Sequence, residues 1–339
     1  MRRSRAPARP SRWVYAAGAS SAAALALTLA ACGSGGGGGR RGAGEVAAAG
    51  LAAALDRAAL EVAPWRCATL APVTTAGELT AGDRTWRRQQ RTLTSAGASL
   101  TVAAVADARG AADAAWRAAL RDAHVDLVIA LGGMGTTEAE LTASLGALTD
   151  PAWLTVAVPG TAEAWPAHRA AVAALAQAGA PIVDGSDLRL LDGGAAVVAT
   201  LPGASYPERL AAASDGCVHD GADATAIVAA AQALAETRPA VLATATAPQG
   251  GASDRLVGGV HAGDPGLTAT VASLAAVLHA PLGAPATAGE RDGDGVVGIA
   301  AGSLDPVPRF DAAGARATSA IPIVTIERGA VRWRLLTSP

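Results

Sequence analysis

Short apolar runs alternate with amphipathic stretches through the central part of the chain. Runs of four to seven apolar residues are typical of buried strands, and apolar residues three or four positions apart are typical of helices. Strands are predicted at 100–106, 126–131, 153–158, 181–183, 240–246 and 296–300. Helices are predicted at 111–122, 163–178, 223–236 and 265–278. This alternation predicts an α/β domain with helices on the outside of its sheets.

Two further segments have the pattern of β-hairpins. Residues 188–191 and 195–201 flank Asp192-Gly193-Gly194, and residues 321–327 and 330–335 flank Arg328-Gly329. Glycine-containing turns between apolar runs are a strong hairpin signal. Because some strands are joined through helices and others pair locally, the sheets are expected to be mixed.

The segment before this alternation is more polar. Residues 45–62 have apolar positions at helical spacing and are followed by Pro64, so they predict a helix. Residues 72–98 are rich in Thr and Gly and contain the sequence WRRQQR at 86–91. We interpret that basic cluster as the solvated face of a helix, and residues 45–98 as an N-terminal helix with a polar connecting segment.

The N-terminus has the parts of a secretory signal. Residues 1–12 contain five Arg and no acid, and residues 13–31 are apolar. The sequence Leu29-Ala30-Ala31-Cys32 resembles a bacterial lipobox, which implies a signal peptide at 1–31 and a lipid on Cys32. A Gly-rich tether follows at 32–44, with five consecutive glycines at 35–39. The alternative is an N-terminal transmembrane helix with a chance cysteine.

These features predict a protein anchored by a lipid in the bacterial cell envelope. Gly33 follows the cysteine in place of an acidic residue, so we expect the outer membrane. If Cys32 carries the lipid, Cys67 and Cys217 remain. The sequence leaves open whether these two form a disulfide or are two buried free thiols, because spacing alone does not show proximity.

Composition excludes several classes of function. The 339 residues include 27 basic and 29 acidic side chains, a net charge of −2, which is unlike a nucleic-acid-binding domain. The chain contains no Lys and no Asn. A lysine Schiff base, a P-loop lysine and an asparagine metal ligand are therefore all excluded.

The loops that follow the predicted strands carry the most informative motifs. They are DARG at 107–110, LGGMG at 131–135, VPGTAE at 158–163, TATAPQG at 244–250 and VLHAPLG at 277–283. Their order and spacing over 99–337 resemble the calcineurin-like metallophosphoesterases, whose motifs are D-x-H, G-D, G-N-H-[DE], a single H, and G-H-x-H. The resemblance implies an α/β domain at 99–339 with four layers, in which two mixed β-sheets pack together and are flanked by helices.

The residues that hold two metal ions in that family are mostly replaced. Aligned on the motifs, the cleft is rimmed by Asp107, Arg109, Gly133, Thr161, Glu163, Ala245 and His279. Only Asp107 and Glu163 are acids, and hard cations prefer about six ligands. We therefore expect no metal, no cofactor and no catalytic residue, with Arg109 facing the two carboxylates in place of a lost cation.

Two functions follow from the resemblance. The first is a catalytically inactive binding or structural module of the envelope, whose partners are the membrane, an envelope protein or a phosphate-bearing ligand, and no nucleic acid. The alternative is an atypical phosphoesterase that uses a divalent metal ion to hydrolyse phosphate mono- or diesters. Outside the cleft, His124 and His168 are interpreted as structural or exposed, His219 as part of a turn, and residues 292–295 as a hairpin turn instead of a calcium loop.

Overall fold

The computed structural model describes eleven parts of the chain. They are Cys67 and residues 76–109, 114–205, 209–210, 215–256, 258–282, 288–290, 296–304, 310, 314–315 and 319–337. The chain divides into two units, Met1–Ala49 and Gly50–Pro339, and every described residue lies in the second. The predicted signal peptide, the tether, Cys32, the helix at 45–62 and residues 292–295 lie outside the described residues.

The first sheet has a parallel centre and an antiparallel edge. Its strands are β4 (Ser99–Ala106), β5 (Leu127–Leu131), β6 (Leu154–Val158), β7 (Ile182–Asp184), β14 (Gly302–Ser303), β15 (Ala320–Glu327) and β16 (Ala330–Thr337). Their order is β16-β15-β4-β5-β6-β7, and β14 pairs with the end of β4. Strands β4 to β7 are parallel to one another, while β15 runs antiparallel to both β4 and β16.

The second sheet is also mixed. It contains β1 (Ala76–Ala81), β2 (Arg84–Gln89), β3 (Thr92–Thr94), β8 (Leu190–Asp192), β9 (Val197–Leu201), β10 (Ala240–Thr244), β11 (Ala276–His279), β12 (Ala288–Glu290) and β13 (Val297–Ala300). The order is β1-β2-β3-β8-β9-β10-β11-β13-β12. Strands β9, β10, β11 and β13 are parallel, so their carboxyl ends share one edge of the sheet.

Five helices are described. They are α1 (Ala114–Asp122), α2 (Glu138–Leu148), α3 (Trp165–Gln177), α4 (Gly221–Ala235) and α5 (Pro265–Val271). The ends of α2 and α4 are stabilised by capping boxes, in which Thr137 and Asp220 accept from the backbone N–H three residues on. Among the described residues, no helix combines the length and the apolar character that crossing a bilayer requires.

Three apolar clusters arrange these elements in four layers. The largest joins residues such as Leu127 and Val156 of the first sheet to Val198 and Leu278 of the second, so the sheets pack face to face. A second cluster packs helices α1, α2 and α3 on the outer face of the first sheet. A third packs α4 and α5 on the outer face of the second. The prediction of two mixed sheets flanked by helices is confirmed.

Most predicted elements are present within a few residues of their expected bounds. Both predicted hairpins form, as β8–β9 and β15–β16. The prediction of one helix over 265–278 is wrong, because α5 ends at Val271 and residues 276–279 form β11, an interior strand of the second sheet. Helix α2 was not predicted from its apolar pattern.

The interpretation of residues 86–91 as a helix face is wrong. Strands β1, β2 and β3 form an antiparallel meander at the edge of the second sheet. Within β2, Trp86 is fully buried while Arg87 points outward, as expected from the period of two in a strand. Arg84 of the same strand donates to Asp126 at the start of β5, which ties the two sheets together at this end.

Cys67 and Cys217 form a disulfide, with their Cα atoms 5.5 Å apart. The buried guanidinium of Arg189 stabilises the same region, because it donates to the carbonyl oxygens of Cys67 and Thr200. Burial, followed by the charge of Arg91, lowers the pKa of Arg189 to about 9. The disulfide and this buried cation therefore anchor Cys67 to the second sheet.

Opening the disulfide should destabilise the domain. In the Cys217→Ala variant we expect the free energy of unfolding to fall by up to about 5 kcal/mol, the chain-entropy value for a loop of this length. The two cysteines are 150 residues apart in sequence. Urea unfolding of the oxidised protein measures the difference. Addition of dithiothreitol should lower the wild-type stability to that of the variant, and a wild-type midpoint insensitive to reduction would contradict the expectation.

Candidate functional site

Loops from both sheets meet at the carboxyl ends of the parallel strands. Gly160, after β6, lies so close to its neighbours that an added Cβ would be 2.9 Å from the Cα of Gly132 and 3.5 Å from the Cβ of Ala245. Gly132 follows β5 and Ala245 follows β10. Three of the predicted loops therefore converge, because packing of the two sheets brings their carboxyl-end edges together.

Glu163 holds two of these loops together. Its side chain is fully buried, and its Oε1 accepts from the backbone N–H of Met134 at 2.8 Å. Its Oε2 accepts from the backbone N–H of Gly160 at 2.9 Å. A buried carboxylate requires such partners. Both oxygens of Glu163 are thus engaged by the loops after β5 and β6.

Asp107 occupies the space beside Gly133. Its backbone N–H donates to the carbonyl oxygen of Gly132 at 3.0 Å, and its φ is +48°. A Cβ added to Gly133 would lie only 1.9 Å from Oδ1 of Asp107, and Gly133 itself has a φ of +71°. The carboxylate of Asp107 therefore stands where a side chain at position 133 would have to be, and glycine is the residue that fits.

Arg109 is exposed at the edge of a surface cavity of about 430 Å³. The cavity is lined by Arg109, Gly133, Met134, Gly135, Thr136, Glu140, Ala143, Ser144 and Ala162. On its wall, hydrogen bonds from the backbone of Thr136 and Thr137 lower the pKa of the Glu140 carboxyl.

The expectation that Arg109 faces Glu163 is wrong, since Glu163 is fully buried and held by backbone N–H groups.

The remaining predicted positions supply little chemistry to this cleft. Thr161 is half-buried on the loop that carries Glu163, and Ala245 is buried. His279 is fully buried, with Nε2 3.0 Å from the hydroxyl of Ser253 and Nδ1 2.8 Å from the carbonyl oxygen of Ala280. The ring is therefore held by the loop after β10 and by its own strand end. In the described parts of the chain, no group of three or more His, Cys, Asp or Glu side chains is placed to hold a metal ion.

A polar cluster beside His279 was not identified from the sequence. Asp254 is fully buried and accepts from Nδ1 of His261 at 2.7 Å and from the backbone of Gly250 and Gly263 at 3.1 Å. Asp264, further along the same loop, caps helix α5 by accepting from the N–H of Gly266. A histidine seven residues after an aspartate in a Gly-rich loop is the only sequence signal of this cluster.

The other histidines have structural surroundings. His124 is exposed at the end of α1, and His168 is buried with Nε2 3.5 Å from Oδ1 of Asp184. Burial favours the neutral form of Asp184, but contacts with His168 and Ser186 outweigh it and lower its pKa. These placements agree with the structural interpretation of both histidines.

Comparison with known proteins shows similarity of fold only. No protein-family model and no curated protein matches the chain. One solved structure, 12% identical, aligns with a TM-score of 0.53 over 71% of this chain and 100% of that chain. TT1561 of Thermus thermophilus is 12% identical, with a TM-score of 0.46 over 70% and 98% of the two chains. Phosphopantetheinyl hydrolase from Mycobacterium tuberculosis is 17% identical, with a TM-score of 0.36 over 60% and 89%. The alignment with the first of these structures supports the fold described above, two mixed sheets with helices on their outer faces.

The fit between Asp107 and Gly133 predicts an unusually costly glycine replacement. Gly133→Ala should lower the free energy of unfolding by about 2–4 kcal/mol, because the new Cβ meets both a carboxylate and an unfavourable φ. Gly179→Ala is the matched control, since Gly179 has a φ of +88° but open space around it. It should cost only about 1 kcal/mol.

Urea unfolding of both variants measures this difference. Adding Asp107→Ala to Gly133→Ala should recover part of the lost stability, because it removes the carboxylate that the new Cβ meets. Equal losses for Gly133→Ala and Gly179→Ala would show that Asp107 does not occupy this space.

Proposed function

We propose that this chain is a non-catalytic module with a metallophosphoesterase-like fold, which is exported and anchored by a lipid on Cys32 and binds a phosphate-bearing ligand. We infer the loss of catalysis from the hydrogen bonds of the Glu163 carboxylate. Both of its oxygens accept hydrogen bonds from the backbone of Met134 and Gly160. To bind a metal ion, Glu163 would have to give up both hydrogen bonds while its side chain is fully buried.

The donor set of the cleft supports the same proposal. Two-metal hydrolysis needs carboxylates or imidazoles that bridge and surround both ions and activate a water molecule. At the corresponding positions Gly133 and Ala245 have no donor, and His279 is held by Ser253 and Ala280. Apart from Glu163, the only acid of the predicted rim is Asp107. Two carboxylates supply fewer oxygen ligands than the six that hard cations prefer.

The cavity beside the converging loops supports ligand binding. Its volume of about 430 Å³ lies in the range of small-molecule sites. Arg109 lies at its edge, and a guanidinium presents a planar fork of donors that matches a phosphate group. A phosphate monoester is therefore the ligand class that we assign to this cavity, bound without turnover.

The disulfide supports the proposed export. Disulfides persist in oxidising compartments outside the cytoplasm. The bond between Cys67 and Cys217 is compatible with such a compartment, and it leaves Cys32 as the third cysteine. The basic, apolar leader before Cys32 then supplies the export signal, and Gly33 favours the outer membrane as the destination.

Binding without turnover can be tested with one compound. We expect 4-nitrophenyl phosphate to bind the wild-type protein in calorimetric titration and to bind Arg109→Ala at least about tenfold more weakly, the loss of one charge-assisted contact. Arg117→Ala, on helix α1, is the matched control and should bind as the wild type does. Release of 4-nitrophenolate, with Mn²⁺ or Zn²⁺ added, should not exceed that of buffer alone.

Two results would overturn this proposal. A metal-stimulated rate that Asp107→Ala abolishes and Asp122→Ala leaves intact would show a working phosphoesterase, as would two metal ions bound per chain. Binding that is insensitive to Arg109→Ala would remove the proposed ligand site. The diester bis(4-nitrophenyl) phosphate extends the same assay to the second substrate class.

The lipid anchor has its own test. In a bacterial host, Cys32→Ala should abolish incorporation of labelled palmitate and release the protein from the membrane fraction, because the thiol is the acceptor of the lipid. Ser34→Ala is the control and should remain labelled and membrane-bound. Palmitate labelling that persists in Cys32→Ala would refute the anchor.

A further inference from the structure

A second cavity, independent of the proposed phosphate site, lies at the amino-terminal end of helix α4. We call it the α4 cavity; its volume is about 160 Å³. The lining residues include Ser205, His219, Asp220, Gly221, Asp264 and Leu267. It lies between the start of α4 and the start of α5, beside the loop that follows β9. No step of the function proposed above uses it.

One of the residues that line the cavity, His219, has a ring nitrogen that the described residues leave unsatisfied. The side chain of His219 is only 4% exposed, and its Nδ1 lies 3.0 Å from the carbonyl oxygen of Pro202. A carbonyl only accepts, so Nδ1 carries the proton and Nε2 presents a lone pair. Nε2 is buried and has no hydrogen-bond partner in the described part of the chain. An unsatisfied buried acceptor is costly, which calls for a donor from a ligand.

The imidazole of His219 is kept neutral. Burial lowers its pKa, and the charge of Arg189 acts in the same direction. The hydrogen bond to Pro202 and the charges of Asp223 and Asp264 oppose this effect without overcoming it. Nε2 therefore remains an acceptor at neutral pH, and the group that it binds has to be a hydrogen-bond donor.

The other polar groups of the cavity also favour a donor with positive charge. The carboxylate of Asp264 is 5% exposed, and its Oδ1 caps α5 through the N–H of Gly266 at 2.8 Å. The hydroxyl of Ser205 is buried and has no partner among the residues that the structure describes. Asp220 adds a second carboxylate, and none of the described residues that line the cavity is a cation.

We propose that the α4 cavity binds a small primary ammonium group. Its N–H groups would donate to Nε2 of His219 and to the carboxylate of Asp264, and its carbon would contact Leu267. Liquid water occupies about 30 Å³ per molecule, so the cavity has room for roughly five non-hydrogen atoms. A small amine fits this volume.

An anion or a metal ion suits the cavity less well. Although α4 presents its amino-terminal end here, Asp220 already accepts from the N–H of Asp223, and Asp264 caps α5. Both helix ends thus hold a carboxylate of their own, which repels an anion. The described residues provide no trio of His, Cys, Asp or Glu for a metal at this position.

The test is a titration of the full chain, labelled with ¹⁵N at histidine, with methylammonium chloride. The ¹⁵N signal of Nε2 that is missing from the spectrum of the His219→Gln variant is assigned to His219. We expect that signal to move upfield as methylammonium is added and to be unaffected by tetramethylammonium, which has the same charge but no N–H. Asp264→Asn should raise the midpoint concentration about tenfold, because asparagine keeps the helix cap but removes the charge.

Control variants separate binding from loss of structure. Asp122→Asn, at the exposed end of α1, should leave the midpoint unchanged, and the signals of the other four histidines should keep their positions in every variant. If Asp264→Asn disturbs those signals, Ser205→Ala provides the second variant and should weaken binding at least about threefold. The proposal is overturned if methylammonium leaves the His219 signal in place, if tetramethylammonium moves it equally, or if a correctly folded Asp264→Asn binds as tightly as the wild type.

Discussion

Face-to-face packing of the two sheets is the constraint on which the other features of the structure depend. The central apolar cluster contains residues from strands of both sheets, and it aligns the edges at which the parallel strands end. Gly160 can lie against Ala245 only because of this packing. Burial of apolar surface is not directional, so it sets the separation of the sheets but not the chemistry of the loops between them. That chemistry depends on which side chains the loops carry.

The converging loops are stabilised by hydrogen bonds to a buried carboxylate and by close packing around a second one. The carboxylate of Glu163 bridges the loops after β5 and β6, and the carboxylate of Asp107 fills the space left by a glycine. Both acids of the predicted cleft are thus part of the packing of the loops. At the α4 cavity, by contrast, a buried imidazole nitrogen and a hydroxyl have no partner among the described residues. The two regions differ in how far the protein itself satisfies their polar groups.

Much of the fold follows from local patterns, and the errors have identifiable causes. The pattern predicts a helix at β11 because an Ala- and Val-rich run is apolar in either conformation, and its place between β10 and β13 is set by neighbours distant in sequence. The meander of β1 to β3 was missed because its exposed positions are Arg and Thr, and one buried residue, Trp86, carries most of the apolar signal of β2. The pairing of Arg109 with Glu163 was wrong because motif order does not show which backbone N–H groups face a carboxylate.

The sequence by itself determined the alternation of strands and helices, the two hairpins, the positions of the five loops and the absence of lysine and asparagine chemistry. These depend on residue periodicity and composition, which are local properties. The tertiary structure alone decided that Cys67 reaches Cys217, that Glu163 accepts from the backbone of Met134, and that His219 lines a cavity together with Asp264. Each of these depends on groups far apart in the chain, whose distance is set by the packing of whole sheets and helices and is not encoded in any one segment.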